Sequence, residues 1–202
     1  MGLPDLYDTD GSSSGLGSYC VMSDSWGVDA SQYYPPLLNP WARIYMGWAS
    51  PESLAVTGDY HIRQSCQHSD FYRIGHGFAS GEYLLIENRQ SCSYDKLLPL
   101  GGLAIWHVDE RNYLNGNSEE SFANNPFSTQ FISLLQADGK YDLELGRNRG
   151  DFSDLFREDS FYHGVDHLSP SESQDPSDGP FPNTDSFGRG LVKRTNNFVT
   201  GK

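Results

Sequence analysis

The side chains that could do chemistry in this chain are mostly carboxylates. Asp5 follows Gly2-Leu3-Pro4 and reads either as a metal ligand or as a loop aspartate capping a turn after proline. Asp8-Thr9-Asp10-Gly11 has the form of the start of a calcium loop. An EF-hand loop needs a glutamate at its twelfth position, where this chain has Tyr19. Asp8 and Asp10 therefore suit an irregular calcium site, or simply Asp and Gly making turns. Asp138, Asp142, Asp151 and Asp154 read as a solvated acidic face, with a second calcium site as the alternative. The six histidines (His61, His68, His76, His107, His163 and His167) contain no HExxH spacing. One carboxylate cannot by itself hold a catalytic zinc, which needs three protein ligands. His107, between Trp106 and Val108, reads as a buried, hydrogen-bonded histidine. Cys66 and Cys92 end two similar triplets, Gln64-Ser65-Cys66 and Gln90-Ser91-Cys92. They suit either a disulfide in an oxidising compartment or, with Cys20, three free thiols. No zinc-ribbon spacing is present.

The elements that must position these groups are short and strand-rich. The 202 residues are polar (37% hydrophobic, mean hydropathy −0.57), but 13% are aromatic, which separates the chain from disordered sequences. The 21 Gly and 11 Pro favour turns and strands over a helical bundle. The formal net charge of −13 argues against nucleic acid as a partner. No apolar stretch reaches the length of a membrane span. Met1–Asp5 has neither a basic start nor an apolar segment, so no signal peptide is expected.

Residues 1–33 read as loop. Asn39 is a good N-cap, Pro40 suits the first helical position and Gly47 supplies a stop, so a helix of about two turns is expected between them. Trp41, Ile44, Tyr45 and Trp48 are its expected apolar face. Strands are expected at Leu54–Val56, Asp59–Arg63, Phe71–Ile74, Glu82–Asn88, Gly102–Val108 and Gln130–Gln136. The runs Tyr83–Ile86 and Leu103–Trp106 have the continuous apolar character of strands covered on both faces. A break near Ser50-Pro51 divides residues 1–50 from a β-rich segment, 51–168, and residues 169–202 read as an irregular, loop-rich tail.

Gly2-Leu3-Pro4-Asp5-Leu6-Tyr7-Asp8 resembles the end of the extended zinc motif of metzincin proteases, HExxHxxGxx followed by His or Asp, in the form found in secreted immune-inhibitor-A-like metalloproteases. On this resemblance Gly2 is the turn glycine and Asp5 the third zinc ligand. The second metal histidine then falls two residues before Met1, with the first histidine and the general-base glutamate further upstream. Ser18–Trp26 resembles the family's Met-turn, with Met22 supporting the zinc ligands by packing rather than coordination. Asn39–Trp48, Gly81–Arg89, Gly101–Asp109, Gln136–Gly139 and the stretch from Gly150 to Phe156 are similar to further family blocks in the expected order. The resemblance implies an α+β fold: a metzincin-like lower lobe with Met-turn and short helix, then a mostly antiparallel β segment. It also implies a secreted zinc endopeptidase acting on protein or peptide substrate, of which this chain is the C-terminal part of the catalytic unit. Without the HExxH helix the chain is expected to be inactive alone, and a missing N-terminal part is its natural partner. The competing class is a non-catalytic β-rich module that binds calcium, glycan or protein.

Overall fold

In the computed structural model, which describes residues 2–8, 11–114 and 131–157, five strands form one mixed sheet. They are β1 (Glu52–Ser53), β2 (Tyr72–Ile74), β3 (Glu82–Arg89), β4 (Gly102–Asp109) and β5 (Ile132–Leu134), arranged in chain order. β1 runs parallel to β2, and every other neighbouring pair is antiparallel. With two short helices, α1 (Pro40–Tyr45) and α2 (Glu110–Leu114), this is an α+β arrangement built on a mostly antiparallel sheet. Among the described residues, no helix is long and apolar enough to cross a membrane.

The centre of the sheet is the pair β3–β4, in register from Glu82↔Asp109 to Arg89↔Gly102. Side chains alternate across a strand, so the unbroken apolar runs supply two cores. One face carries Tyr83, Leu85, Ala104, Trp106 and Val108 with Ile132 and Leu134 of β5. Leu6, Leu16, Tyr19, Cys20 and Trp41 pack on it, so the N-terminal loops share this core with the sheet. The other face carries Leu84, Ile86 and Ile105, covered by Ile74, Ala137 and Phe156.

Local sequence explains α1. The Asn39 side chain accepts from the Ala42 N–H at 2.9 Å, Pro40 starts the helix, and Gly47 ends it with φ of +73°. That left-handed angle suits glycine and lets the Trp48 N–H return to the Arg43 carbonyl at 2.8 Å. The expected apolar face is only half used. Trp41 is buried, and Ile44 rests against the core, but Tyr45 and Trp48 are 54% and 60% exposed. Tyr45 stacks on Trp41 with centroids 4.9 Å apart, covering its outer side instead of entering the core.

Three strand expectations need correction. Asp59–Arg63 forms no strand. Both edges of β2 are already taken, by β1 and β3, so this segment passes outside the ladder. Its carbonyls are satisfied by side chains instead: Tyr72 Oη donates to His61 at 2.6 Å and Asn88 Nδ2 to Ile62 at 3.0 Å. The Leu54–Val56 expectation moves to Glu52–Ser53, and the last strand is confined to Ile132–Leu134. Helix α2, directly after β4, was not expected from the sequence. Residues 169–202, read as a tail, lie outside the described residues.

Candidate functional site

The Gly2–Asp8 segment lies along the turn that carries Met22. The Leu6 N–H donates to the Met22 carbonyl at 2.9 Å, and the Leu16 N–H to the Leu6 carbonyl at 3.2 Å. Leu6 is fully buried, and Leu3 and Met22 are half-buried against the same core. Alternation along this extended segment leaves Asp5 exposed, where its carboxylate accepts from Tyr7 Oη at 3.1 Å. Gly2 is exposed, has no positive φ and has open space where a Cβ would stand, so its backbone makes no demand for glycine.

The Asp8 carboxylate is engaged in its own loop. It accepts from Ser12 Oγ at 3.1 Å and from the Ser13 N–H, which ties Asp8 to those two residues. Asp10 lies outside the described residues. Cys66 and Cys92 form a disulfide, and Cys20 is a buried free thiol held up from its ordinary pKa by burial. His107 is buried, with Nε2 2.9 Å from Glu82 Oε1, and Arg111 closes on the other Glu82 oxygen at 2.9 Å.

A second group of carboxylates is assembled by the chain folding back along β4. Phe156 and Leu103 exchange backbone hydrogen bonds, both 2.9 Å, and the Ala137 N–H donates to the Asp154 carbonyl at 2.8 Å. This turns the acidic stretch inward. Asp138 and Asp154 are 8% and 0% exposed, and Asp151 is half-buried, where a solvated face was expected. One oxygen from each of the three lies within 4.8 Å of the others. Ser153 Oγ donates to Asp138 Oδ2 at 2.7 Å or Asp151 Oδ1 at 2.6 Å, and Asn148 Nδ2 to Asp151 Oδ2 at 3.1 Å.

Tyr19 reaches this group from the N-terminal segment, its hydroxyl 3.0 Å from Asp154 Oδ2 and from the Asp151 carbonyl. Gly150 makes room for the ring. Its φ is +119°, and a Cβ there would stand 2.6 Å from Tyr19 Cε2. Burial pushes the Asp154 carboxyl up to about 7, with the Asp151 charge adding to the effect against the Asp151 N–H. At Asp138 burial acts in the same direction, but hydrogen bonds from Lys140 and Ser153 outweigh it and hold the carboxyl below its usual range. The Tyr19 phenol is held well above its usual range by burial and by Asp154. Such a set of hard oxygen donors suits a hard cation. The sequence signal for it was Asp151-x-x-Asp154 leading into the apolar pair Leu155-Phe156, since a carboxylate next to buried residues is itself a candidate for burial.

No protein-family model, curated protein or solved structure matches this chain.

Proposed function

We propose that this chain is the C-terminal part of the catalytic unit of a zinc-dependent endopeptidase of the immune-inhibitor-A, metzincin type, secreted and acting on protein or peptide substrate. The observation that carries this reading is the Leu6–Met22 backbone hydrogen bond of 2.9 Å, which sets Asp5 beside the methionine turn. A third zinc ligand must stand over the Met-turn with its carboxylate open, and Asp5 is exposed with a hydrogen bond from Tyr7. The fit is to one ligand of three. The two histidines and the general-base glutamate belong to a segment not in this sequence.

When bound, zinc supplies a Lewis acid and an activated water. The chain's own contribution is narrower. Leu6 anchors the strip in the core, Asp5 offers an anionic oxygen to the metal, and Met22 fills the floor beneath it by packing.

The test is to read the coding DNA upstream of Met1 in frame and to express the extended protein. The expected result is HExxH within a few codons and chelator-sensitive cleavage of casein that falls at least about 100-fold in Asp5→Ala, the scale of losing a metal ligand or its support. An upstream frame without HExxH would return the chain to the class of non-catalytic binding modules, and an active extended protein indifferent to Asp5→Ala would remove Asp5 from the metal and overturn its assignment as third ligand.

A further inference from the structure

Asp154 is the one member of the three-carboxylate group with no exposure at all, and its Oδ1 is buried without a hydrogen-bond partner. Its Oδ2 is fully engaged by Tyr19 Oη at 3.0 Å and the Asp151 N–H at 2.7 Å. A buried carboxylate oxygen left without a donor is costly. Among the described residues, the ion pair made to the group is that of Lys140, whose Nζ lies 2.6 Å from Asp138 Oδ2 on a side chain that is 57% exposed. Three acids thus converge on one point, and their described counter-charge is exposed and sits on Asp138, the acid furthest in sequence from Asp154.

From this geometry we propose that Asp138, Asp151 and Asp154 hold a calcium ion that fastens the 136–156 segment to β4 and Tyr19. Calcium takes oxygen ligands at about 2.3–2.6 Å, so two ligands of one ion stand at most about 5 Å apart. The separations here, within 4.8 Å, fit inside that sphere. Zinc favours His and Cys, which the group lacks, and magnesium demands a stricter octahedron and gives up its waters reluctantly. The ion would give Asp154 Oδ1 its missing partner and neutralise Asp151. The remaining ligand positions are open to water, because Asp151 lies at the half-buried rim. This inference is independent of the endopeptidase reading, which turns on Asp5 at a separate place.

The experiment uses the full 202-residue chain, stripped with chelator and melted with added calcium or magnesium. At calcium one hundred times Kd the expected rise in Tm is about 5–10 °C. Asp154→Asn, which keeps the shape and both oxygen contacts to Tyr19 and Asp151, should abolish the rise, and Asp151→Asn should shrink it. Asp5→Ala and Asp8→Asn should leave it intact. Terbium luminescence, sensitised through nearby Tyr19, should appear in the parent chain and be lost in Asp154→Asn. No rise with calcium, an equal rise with magnesium, or a rise retained in both Asn variants would overturn the proposal. Should Asp154→Asn fail to fold, terbium titration of Asp151→Asn decides the matter: an unchanged affinity sinks it.

Discussion

Two buried charge centres sit on either side of Tyr19, and they are built in opposite ways. Around Arg89 the fold supplies everything the charge needs. The side chain is fully enclosed, yet its guanidinium donates to both oxygens of Asp95 at 2.8 and 2.7 Å and to the Tyr19 carbonyl at 2.7 Å. Weaker contacts at 3.3 Å reach Glu87 and the Leu37 carbonyl. Burial opposes the Arg89 charge, but Asp95 and Glu87 outweigh it and tighten its hold on the proton. The Asp138–Asp151–Asp154 group has three carboxylic groups, an exposed lysine on one of them and an Asp154 oxygen with no partner. Glu87 Oε2 is likewise buried without a partner, so the centres differ in their cations: the first encloses its own between Asp95 and Glu87, and the second has an exposed lysine. Both tie the N-terminal loops to the sheet, so the difference separates a joint with a buried cation from one whose counter-charge is exposed.

The largest effect should come from breaking the closed centre. Arg89→Met keeps much of the volume but leaves Asp95 and Glu87 buried without their cation. Breaking one side of a buried ion pair costs about 3–5 kcal/mol, and here the freed carbonyls of Tyr19 and Leu37 add to the loss. Urea denaturation should show a loss in this range or no folded protein. A change below about 1 kcal/mol would mean that the centre is not a joint at all.

The disulfide should matter slightly less, and through the same centre. Cys92 precedes the 3-10 turn Ser93–Leu97 that presents Asp95, and Asp95 also accepts from the Leu37 N–H at 2.9 Å. Cys66 follows Ser65, whose carbonyl takes Arg43 Nη1 at 3.0 Å. The bond spans a sequence separation of 26, for which loop-closure entropy gives about 3–3.5 kcal/mol. The double variant Cys66→Ala/Cys92→Ala should lose about that much in the same denaturation assay. If Arg89→Met is then introduced, its cost should shrink, because Asp95 is no longer held in place. Strict additivity would show that the clamp and the charge centre act independently.

What could be read beforehand follows the same division between local and assembled features. Asn39, Pro40 and Gly47 announced α1 because capping is a matter of a few adjacent residues. Tyr83–Ile86 and Leu103–Trp106 announced β3 and β4 because a strand covered on both faces needs continuous apolar character. Asp59–Arg63 was misread because strand propensity cannot show that β2 has no free edge. The strip holding Asp5 was read only by resemblance, and its contact with Met22 depends on one backbone hydrogen bond across sixteen positions of chain. The Arg89 centre was not legible, and the aspartate group was legible only as the alternative to a solvated face. Arg89 looked like one polar residue at the end of a strand, and its partners come from the 3-10 turn and from two distant carbonyls. Asp138 and Asp154 looked like surface acids until the return of the chain onto Leu103 turned them inward.

The smallest predicted effect sharpens the other half of the comparison. Glu144 belongs to the same acid-rich segment, and burial pushes its carboxyl up to about 7, with the nearby Asp142 charge adding to the effect. Gln136 is oriented so that its Nε2 faces Glu144, since its Oε1 already accepts the Asp142 and Leu143 N–H groups at 2.8 and 3.4 Å. A folded pKa raised above the unfolded value near 4.5 means that the native state binds the proton more tightly. Stability is therefore unaffected by this group below about pH 4.5. It declines as pH rises through the window from there to about 7, and above that the penalty is complete. For a half-buried residue the full penalty is about 1–2 kcal/mol, less than the shift alone implies. Glu144→Gln keeps an oxygen for Gln136 to donate to and removes the titration. In calcium-free buffer the parent chain should lose about 1–2 kcal/mol more than the variant between pH 5 and pH 8. Identical pH profiles would show that the segment carries its negative charge without cost, and the contrast with Arg89 would then rest on the three aspartates alone.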